Sequence, residues 1–257
     1  MQDALLAWYE RERRDLPWRR TRDPYAILVS EVMLQQTQVA RVVPRYAAWL
    51  ERWPDVAALA GATRAQVLTA WVGLGYNRRA VRLHEACAIV AREGWPRTAA
   101  GLTELPGIGP YTAAAVASFA FGEQVAAVDT NVRRVAVRVG RGSPAELLPD
   151  GRAPAWNQAM MELGATVCGA RAARCEHCPV APWCASQGRV RVAERAPAGT
   201  RERFEDSTRW VRGRIVAALA AGDGLPDGIA AERLAPALDA LVRDGLVVRE
   251  GAGARLA

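Results

Sequence analysis

Cys168, Cys175, Cys178 and Cys184 fall within 17 residues, in the spacing C-x6-C-x2-C-x5-C. Four thiolates this close suit either a tetrahedral metal ion, with zinc the rival, or a cubane iron-sulfur cluster, and spacing alone leaves both open. His177 lies between two of these cysteines, but four sulfurs already complete a ligand set and the histidine reads as a bystander. Cys87 stands apart in "RLHEACAIVA", with apolar neighbours at helical spacing, the pattern of a buried thiol.

Two acidic residues suggest a different chemistry. In "DPYAILVSEVMLQQTQV", Glu31 has Ile27, Leu28 and Leu34 at positions i−4, i−3 and i+3, so its carboxyl lies on or beside the apolar face of a helix. Burial there would raise its pKa and let it hold a proton at neutral pH, as a general acid must. The alternative is a helix-boundary glutamate that reaches water. In "AAVDTNVRRVAVRV", Asp129 and Asn131 come just before an apolar-periodic helix, which makes Asp129 a candidate N-cap. A capping aspartate can also stand ionised beside a developing positive charge, so the two roles are compatible.

Between these acids, "LPGIGPYTAAAVASFAFG" places Gly107 and Gly109 in a hairpin that opens an Ala-rich helix. Its glycines let backbone approach closely, and amides at the start of the second helix can point at a phosphate. A plain helical corner is the alternative. Tyr111 stands at the mouth of the hairpin, where it is a weak nucleophile.

The elements that must position these groups are almost all helical. Residues 1 to about 185 carry no long period-2 run, and helix ends are marked by Asp23-Pro24, Thr98, Pro110 and Gly122. An Arg-rich, aperiodic stretch over 187–206 reads as a linker. Beyond it, two amphipathic helices and two short extended runs around a Gly turn suggest a small winged-helix-like module over 207–257. The expected fold class is all-α.

With 257 residues, 51% of them hydrophobic, the chain can bury a substantial core. A formal net charge of +7, with clusters such as "RERRDLPWRRTR", fits a polyanionic partner. All 34 basic residues are arginine, so no side-chain amine exists to form a Schiff base. No apolar run approaches the roughly 20 residues that span a bilayer, and the start lacks a signal-type core, which predicts a cytoplasmic, nucleoid-associated protein with no membrane partner.

"LPWR", "DPYAILVSEVMLQQTQV", "GLGY", "LPGIGPYT", "VDTNVRRV", "WNQAMMELGATVC" and the four-cysteine loop follow one another from Leu16 to Cys184. In this order they resemble the helix-hairpin-helix DNA glycosylase superfamily that includes endonuclease III, and within it the MutY family of adenine DNA glycosylases. The resemblance implies a six-helix domain over 15–123, an iron-sulfur cluster domain formed by 1–14 and 124–186, and a [4Fe-4S] cluster on Cys168, Cys175, Cys178 and Cys184. It also implies a monomer acting on double-stranded DNA that contains mispaired adenine. Bifunctional relatives carry a lysine where this chain has Tyr111, so the resemblance implies a monofunctional hydrolase. Glu31 would then protonate the base at N7 and Asp129 would stabilise an oxocarbenium-like sugar, with Tyr111 and Asn131 hydrogen-bonding around it. Trp18, Arg19 and Gln158 match residues that contact the extruded adenine. Gln36, Thr37, Leu74 and Tyr76 match those that wedge into or line the duplex, while Arg171 and Arg174 match loop residues that meet phosphates.

The chain also departs from the family. Only about 70 residues follow Cys184, too few for the large C-terminal domain with which many MutY proteins check for 8-oxoguanine, and Asn77 stands where another tyrosine is usual. Tyrosine at the hairpin also occurs in thymine or uracil mismatch glycosylases, which are the second enzyme reading. A non-catalytic iron-sulfur DNA-binding protein is the third.

Overall fold

The computed structural model describes residues 1–190, 203–251 and 253–257. Most of the linker expected at 187–206 therefore lies outside the described residues. The chain forms two compact units, one of Met1–Glu31 with the described residues from Trp95 onward to 190, the other of Val32–Gly94 with the described residues from 203 to the end.

The first unit holds α1 (Gln2–Glu12) and most of α2 (Pro24–Leu34), then α7 (Ala99–Thr103), α8 (Pro110–Phe121), α9 (Thr130–Val139) and α10 (Ala153–Thr166). Helix ends follow the local chemistry of the sequence. Asp23 accepts hydrogen bonds from the amides of Tyr25 and Ala26 at 3.1 and 3.2 Å, and Thr98 accepts from Gly101. Gly122 closes α8 in the left-handed region at φ 75°, where a side chain would be strained. Leu5 and Trp8 of α1 pack with Val132, Val135 and Val139 of α9 and with Trp156 and Leu163 of α10 into one core. Helix α8 is buried nearly all round, and its run Ala113, Ala114, Ala115, Val116, Ala117 supplies the small side chains such a position requires.

The second unit holds α3 (Val39–Arg52), α4 (Val56–Ala60), α5 (Arg64–Trp71), α6 (Arg78–Glu93), α11 (Thr208–Ala221), α12 (Ala231–Arg243) and an antiparallel ribbon of β1 (Val247–Glu250) with β2 (Gly253–Leu256). Trp49 meets Trp53 and Trp71 edge-on, with ring centroids 4.7 and 5.4 Å apart. Leu68 of α5 and Val81 of α6 share a core with Val211 and Ile215 of α11, Leu238 and Leu241 of α12, and Val247 of the ribbon. The two helices and ribbon expected at the C-terminus are thus present, and they are built into the same apolar core as α5 and α6. Among the described residues no helix is long and apolar enough to cross a membrane.

Candidate active site

Glu31 sits in the penultimate turn of α2 and is buried, with 7% of its surface exposed. Burial is the largest influence on its carboxyl and raises the pKa to about 7. The Tyr111 hydroxyl bonded to it and the nearby Arg19 pull the other way, and the charge of Asp129 pushes it further up. Tyr111, in the first turn of α8, is itself raised well above the ordinary tyrosine value, first by burial and then by Glu31. Its hydroxyl also lies 3.7 Å from the Met161 sulfur.

Asp129 caps α9. One carboxylate oxygen accepts the Val132 amide at 2.7 Å and the other accepts the Asn131 side-chain amide at 2.8 Å. Asn131 in turn accepts a hydrogen bond from Arg134 at 2.8 Å, and Arg134 also donates to the carbonyls of Gly164 at 2.7 Å and Cys168 at 3.0 Å. Gly164 is required at this crossing because a Cβ there would stand 2.6 Å from the Asn131 Cβ. The buried Asn157 accepts from the Ala127 amide and donates to Ser118 and to the Val125 carbonyl, pinning the segment that leads into Asp129. Glu31, Tyr111, Asp129 and Asn131 are therefore brought together.

The residues expected to meet an extruded base are also in this unit, and they are anchored to the protein. Trp18 is buried, and Gln158 accepts the Tyr9 hydroxyl. Arg19 donates to Glu162 at 2.7 Å and to the Arg14 carbonyl at 3.0 Å, with its guanidinium 5.6 Å from the Tyr9 ring. Glu162 was not singled out by sequence. Fully buried on α10, it accepts from Arg14 through two side-chain nitrogens and a backbone amide as well as from Arg19, and these partners overcome burial to hold its pKa at about 2. The signal that marked Glu31 was weaker here: Ala159 and Ala165 at i−3 and i+3 are apolar, but Gln158 and Thr166 stand at i−4 and i+4.

At the hairpin, Gly107 adopts φ 75°, a conformation that favours glycine, whereas Gly109 has φ −85° and a Cβ built on it would meet nothing within 4 Å. Both are exposed, ahead of Pro110 at the start of α8.

Of the expected wedge residues, all four lie in the second unit, on two turns. Among the described residues, Gln36 (φ 54°) and Tyr76 (φ 48°) are the non-glycine residues with left-handed backbone, a local strain that persists only where the surroundings impose it. Tyr76 is 43% exposed, while Leu74 is buried and Thr37 is half-buried. Arg79 joins the two turns, donating to the carbonyls of Val32 at 2.7 Å, Gln35 at 2.6 Å, Leu74 at 3.0 Å and Gly75 at 3.0 Å. Burial lowers its pKa to about 10. Sequence gave no hint of this tie, because its partners are backbone carbonyls up to 47 residues away.

Cys168, Cys175, Cys178 and Cys184 line one cavity of about 310 Å³, part of it open to solvent, together with Arg138. Arg138 donates to the Cys168 sulfur and carbonyl, both at 3.3 Å, and to the Gly169 carbonyl at 2.7 Å, while the Cys184 thiol reaches the Arg138 carbonyl at 3.3 Å. Among the described residues no group of three His, Cys, Asp or Glu side chains gathers as a single metal ion would need. The sulfurs surround a space instead. His177 faces Glu176 at 3.8 Å, apart from the cavity lining. Arg171 is exposed, and the exposed Arg174 donates to the Thr166 carbonyl at the end of α10. Cys87 is buried, with its thiol pushed up to about 12.

Residues 29–147 match the family described as HhH-GPD superfamily base excision DNA repair protein. The chain is 45% identical to an adenine DNA glycosylase of Mycolicibacterium smegmatis, over 97% of this chain and 93% of that protein. It is 42% identical to an adenine DNA glycosylase of Homo sapiens, over 77% of this chain and 41% of that one. Among solved structures, a thermostable thymine-DNA glycosylase matches with a TM-score of 0.68 and 30% identity, covering 73% of this chain and 95% of that one. A non-covalent endonuclease III–DNA complex matches at 24% identity with a TM-score of 0.62, over 73% of this chain and 93% of that one, a likeness of fold.

Proposed function

Because the chain belongs to the adenine DNA glycosylases of base excision repair, we propose that it is a monofunctional hydrolase that releases adenine mispaired with 8-oxoguanine or guanine in double-stranded DNA. Once the base is turned out of the stack, the neutral Glu31 carboxyl gives its proton to adenine N7, and the C1′–N9 bond breaks with its electron pair leaving on the base. The Asp129 carboxylate stabilises the oxocarbenium-like sugar and orients the water that adds to C1′, and the proton this water sheds returns to the Glu31 carboxylate, restoring the neutral acid. Tyr111 holds the Glu31 carboxyl and Asn131 holds Asp129, so each acid has a side-chain partner fixing it. No lysine is present, which removes Schiff-base strand cleavage through lysine.

The observation that carries this reading is the buried Glu31, with a pKa near 7, grouped with Tyr111 and Asp129. In the same reading Trp18, Arg19 and Gln158 border the adenine, and Gln36, Thr37, Leu74 and Tyr76 form the wedge. Gly107, Gly109, Arg171 and Arg174 face phosphates. Cys168, Cys175, Cys178 and Cys184, which line one cavity, would hold a four-iron, four-sulfur cluster, the choice over zinc that the family resemblance supports. The four cysteines would then be cross-linked through the bound cluster, which would fix the loop that carries them.

The test is single-turnover base release from duplexes with A opposite 8-oxoguanine, A opposite G, and T opposite G, for wild type and Glu31→Gln. Adenine release lost in the variant supports the assignment. Release of thymine alone would favour the second enzyme reading, which the 30% identity to a thymine-DNA glycosylase keeps in view. No release from any duplex would leave DNA binding.

A further inference from the structure

The second unit contains a groove whose lining includes neither of the candidate acids and none of the cysteines. One side is the turn carrying Leu74 and Tyr76, and the other is the C-terminal segment from Phe204 to Arg214. It encloses about 2290 Å³, including the solvent it opens to. Six arginines line it, against Asp244 as the one acidic lining residue. Asp244 is already taken by Arg212 and Arg78, and Arg79 faces backbone carbonyls. Arg41, Arg209 and Arg214 have no carboxylate partner among the described residues, so the groove presents uncompensated positive charge.

Its rim carries two exposed aromatics. Phe204 is 52% exposed and Tyr76 is 43% exposed. The Arg209 guanidinium lies 5.1 Å from the first ring centroid and 5.2 Å from the second, and it donates to the Tyr76 hydroxyl. An aromatic–guanidinium–aromatic array left open to water is a platform on which bases stack, and arginines beside it suit phosphates.

We propose that this groove is a second DNA-binding surface, in which the C-terminal segment supplies Arg209, Arg214 and Phe204 to a strand of the duplex beside the wedge, and in which Arg209 positions Tyr76. The proposal rests on the reading of the chain as a DNA glycosylase with Tyr76 in its wedge. The C-terminal module then does part of the work of DNA recognition and is more than a support for α5 and α6.

The experiment is equilibrium binding of the full chain to two labelled duplexes, one fully matched and one bearing a non-cleavable 2′-fluoro-deoxyadenosine opposite 8-oxoguanine, over a series of salt concentrations. Arg209→Ala is expected to weaken both about tenfold and to lower the salt slope by about one. Phe204→Ala is expected to weaken both about tenfold with the slope unchanged. Arg249→Ala, which removes a charge from the ribbon outside the groove lining, should bind within about twofold of wild type. Should Arg209→Ala melt at a lower temperature, Arg214→Gln reads the same slope. Variants Arg209→Ala, Arg214→Gln and Phe204→Ala that all bind like Arg249→Ala would overturn the groove. Wild type that releases no adenine while the groove variants weaken binding would overturn the catalytic reading and leave the groove standing.

Discussion

The proton on Glu31 is kept there by the cost of placing a carboxylate in a buried site, and this has two consequences of opposite sign. In the proposed mechanism Glu31 must be protonated, so the single-turnover rate of base release is expected to fall as pH rises through about 7. For stability, a raised folded-state pKa means that the favourable contribution is complete below the unfolded value of about 4.3 and is lost as pH rises through about 7. The ionised residue then costs about 4 kcal/mol. Glu31→Gln should therefore unfold at a higher temperature than wild type at pH 8, with the difference shrinking toward pH 5. A difference independent of pH would mean the carboxyl is not held neutral. Glu162 behaves inversely. Its pKa near 2 means stability is present above about 4.3 and lost as pH falls through about 2. Glu162→Gln is expected to cost about 3 kcal/mol in denaturant titrations at pH 7, less at pH 3. The sequence made Glu31 legible through its apolar neighbours. Glu162, with Gln158 and Thr166 at i−4 and i+4, lacked that pattern, and its role depends on Arg14 and Arg19, more than 140 residues away, a pairing that no local spacing reports.

At the level of elements, the helix ends were legible because each rests on a short-range rule: Asp23 before Pro24, Thr98 before its helix, Asp129 accepting from Val132 three residues on. The ties between elements were not. Arg79 fastens two turns through backbone carbonyls and Asn157 pins the approach to α9, and neither pattern has a sequence signature. The hairpin separates two uses of glycine. Gly107 needs its positive φ, but Gly109 has an ordinary backbone and open space where a side chain would go. Gly109→Ala is thus expected to change stability by less than about 1 kcal/mol while weakening duplex binding several-fold, because the methyl group would stand where backbone and phosphate approach. Unfolding curves and binding isotherms on one preparation check both halves. A variant that binds as tightly as wild type would remove the hairpin amides from the DNA interface.

Across the whole molecule, composition and motif order pointed to the fold class and the enzyme family, since many motifs in one order constrain more than any one of them. The role of the C-terminal module was not legible, because apolar periodicity in α11 and α12 says that a face is buried without saying against what. The structure buries it against Leu68 and Val81. A chain ending at residue 190 should accordingly expose that face and lose the cooperative unfolding of residues 32–94, measurable by hydrogen exchange. Retained protection in α5 and α6 would count against the shared core. One connection described above reaches across the first unit: Asp129 holds Asn131, Asn131 holds Arg134, and Arg134 holds the carbonyl of Cys168. In the proposed mechanism the group that steadies the reacting sugar is thereby moored to the cysteine loop. A shift of the loop backbone at Cys168 would therefore be relayed to the Asp129 carboxylate through two side chains, as a stay passes tension to a mast.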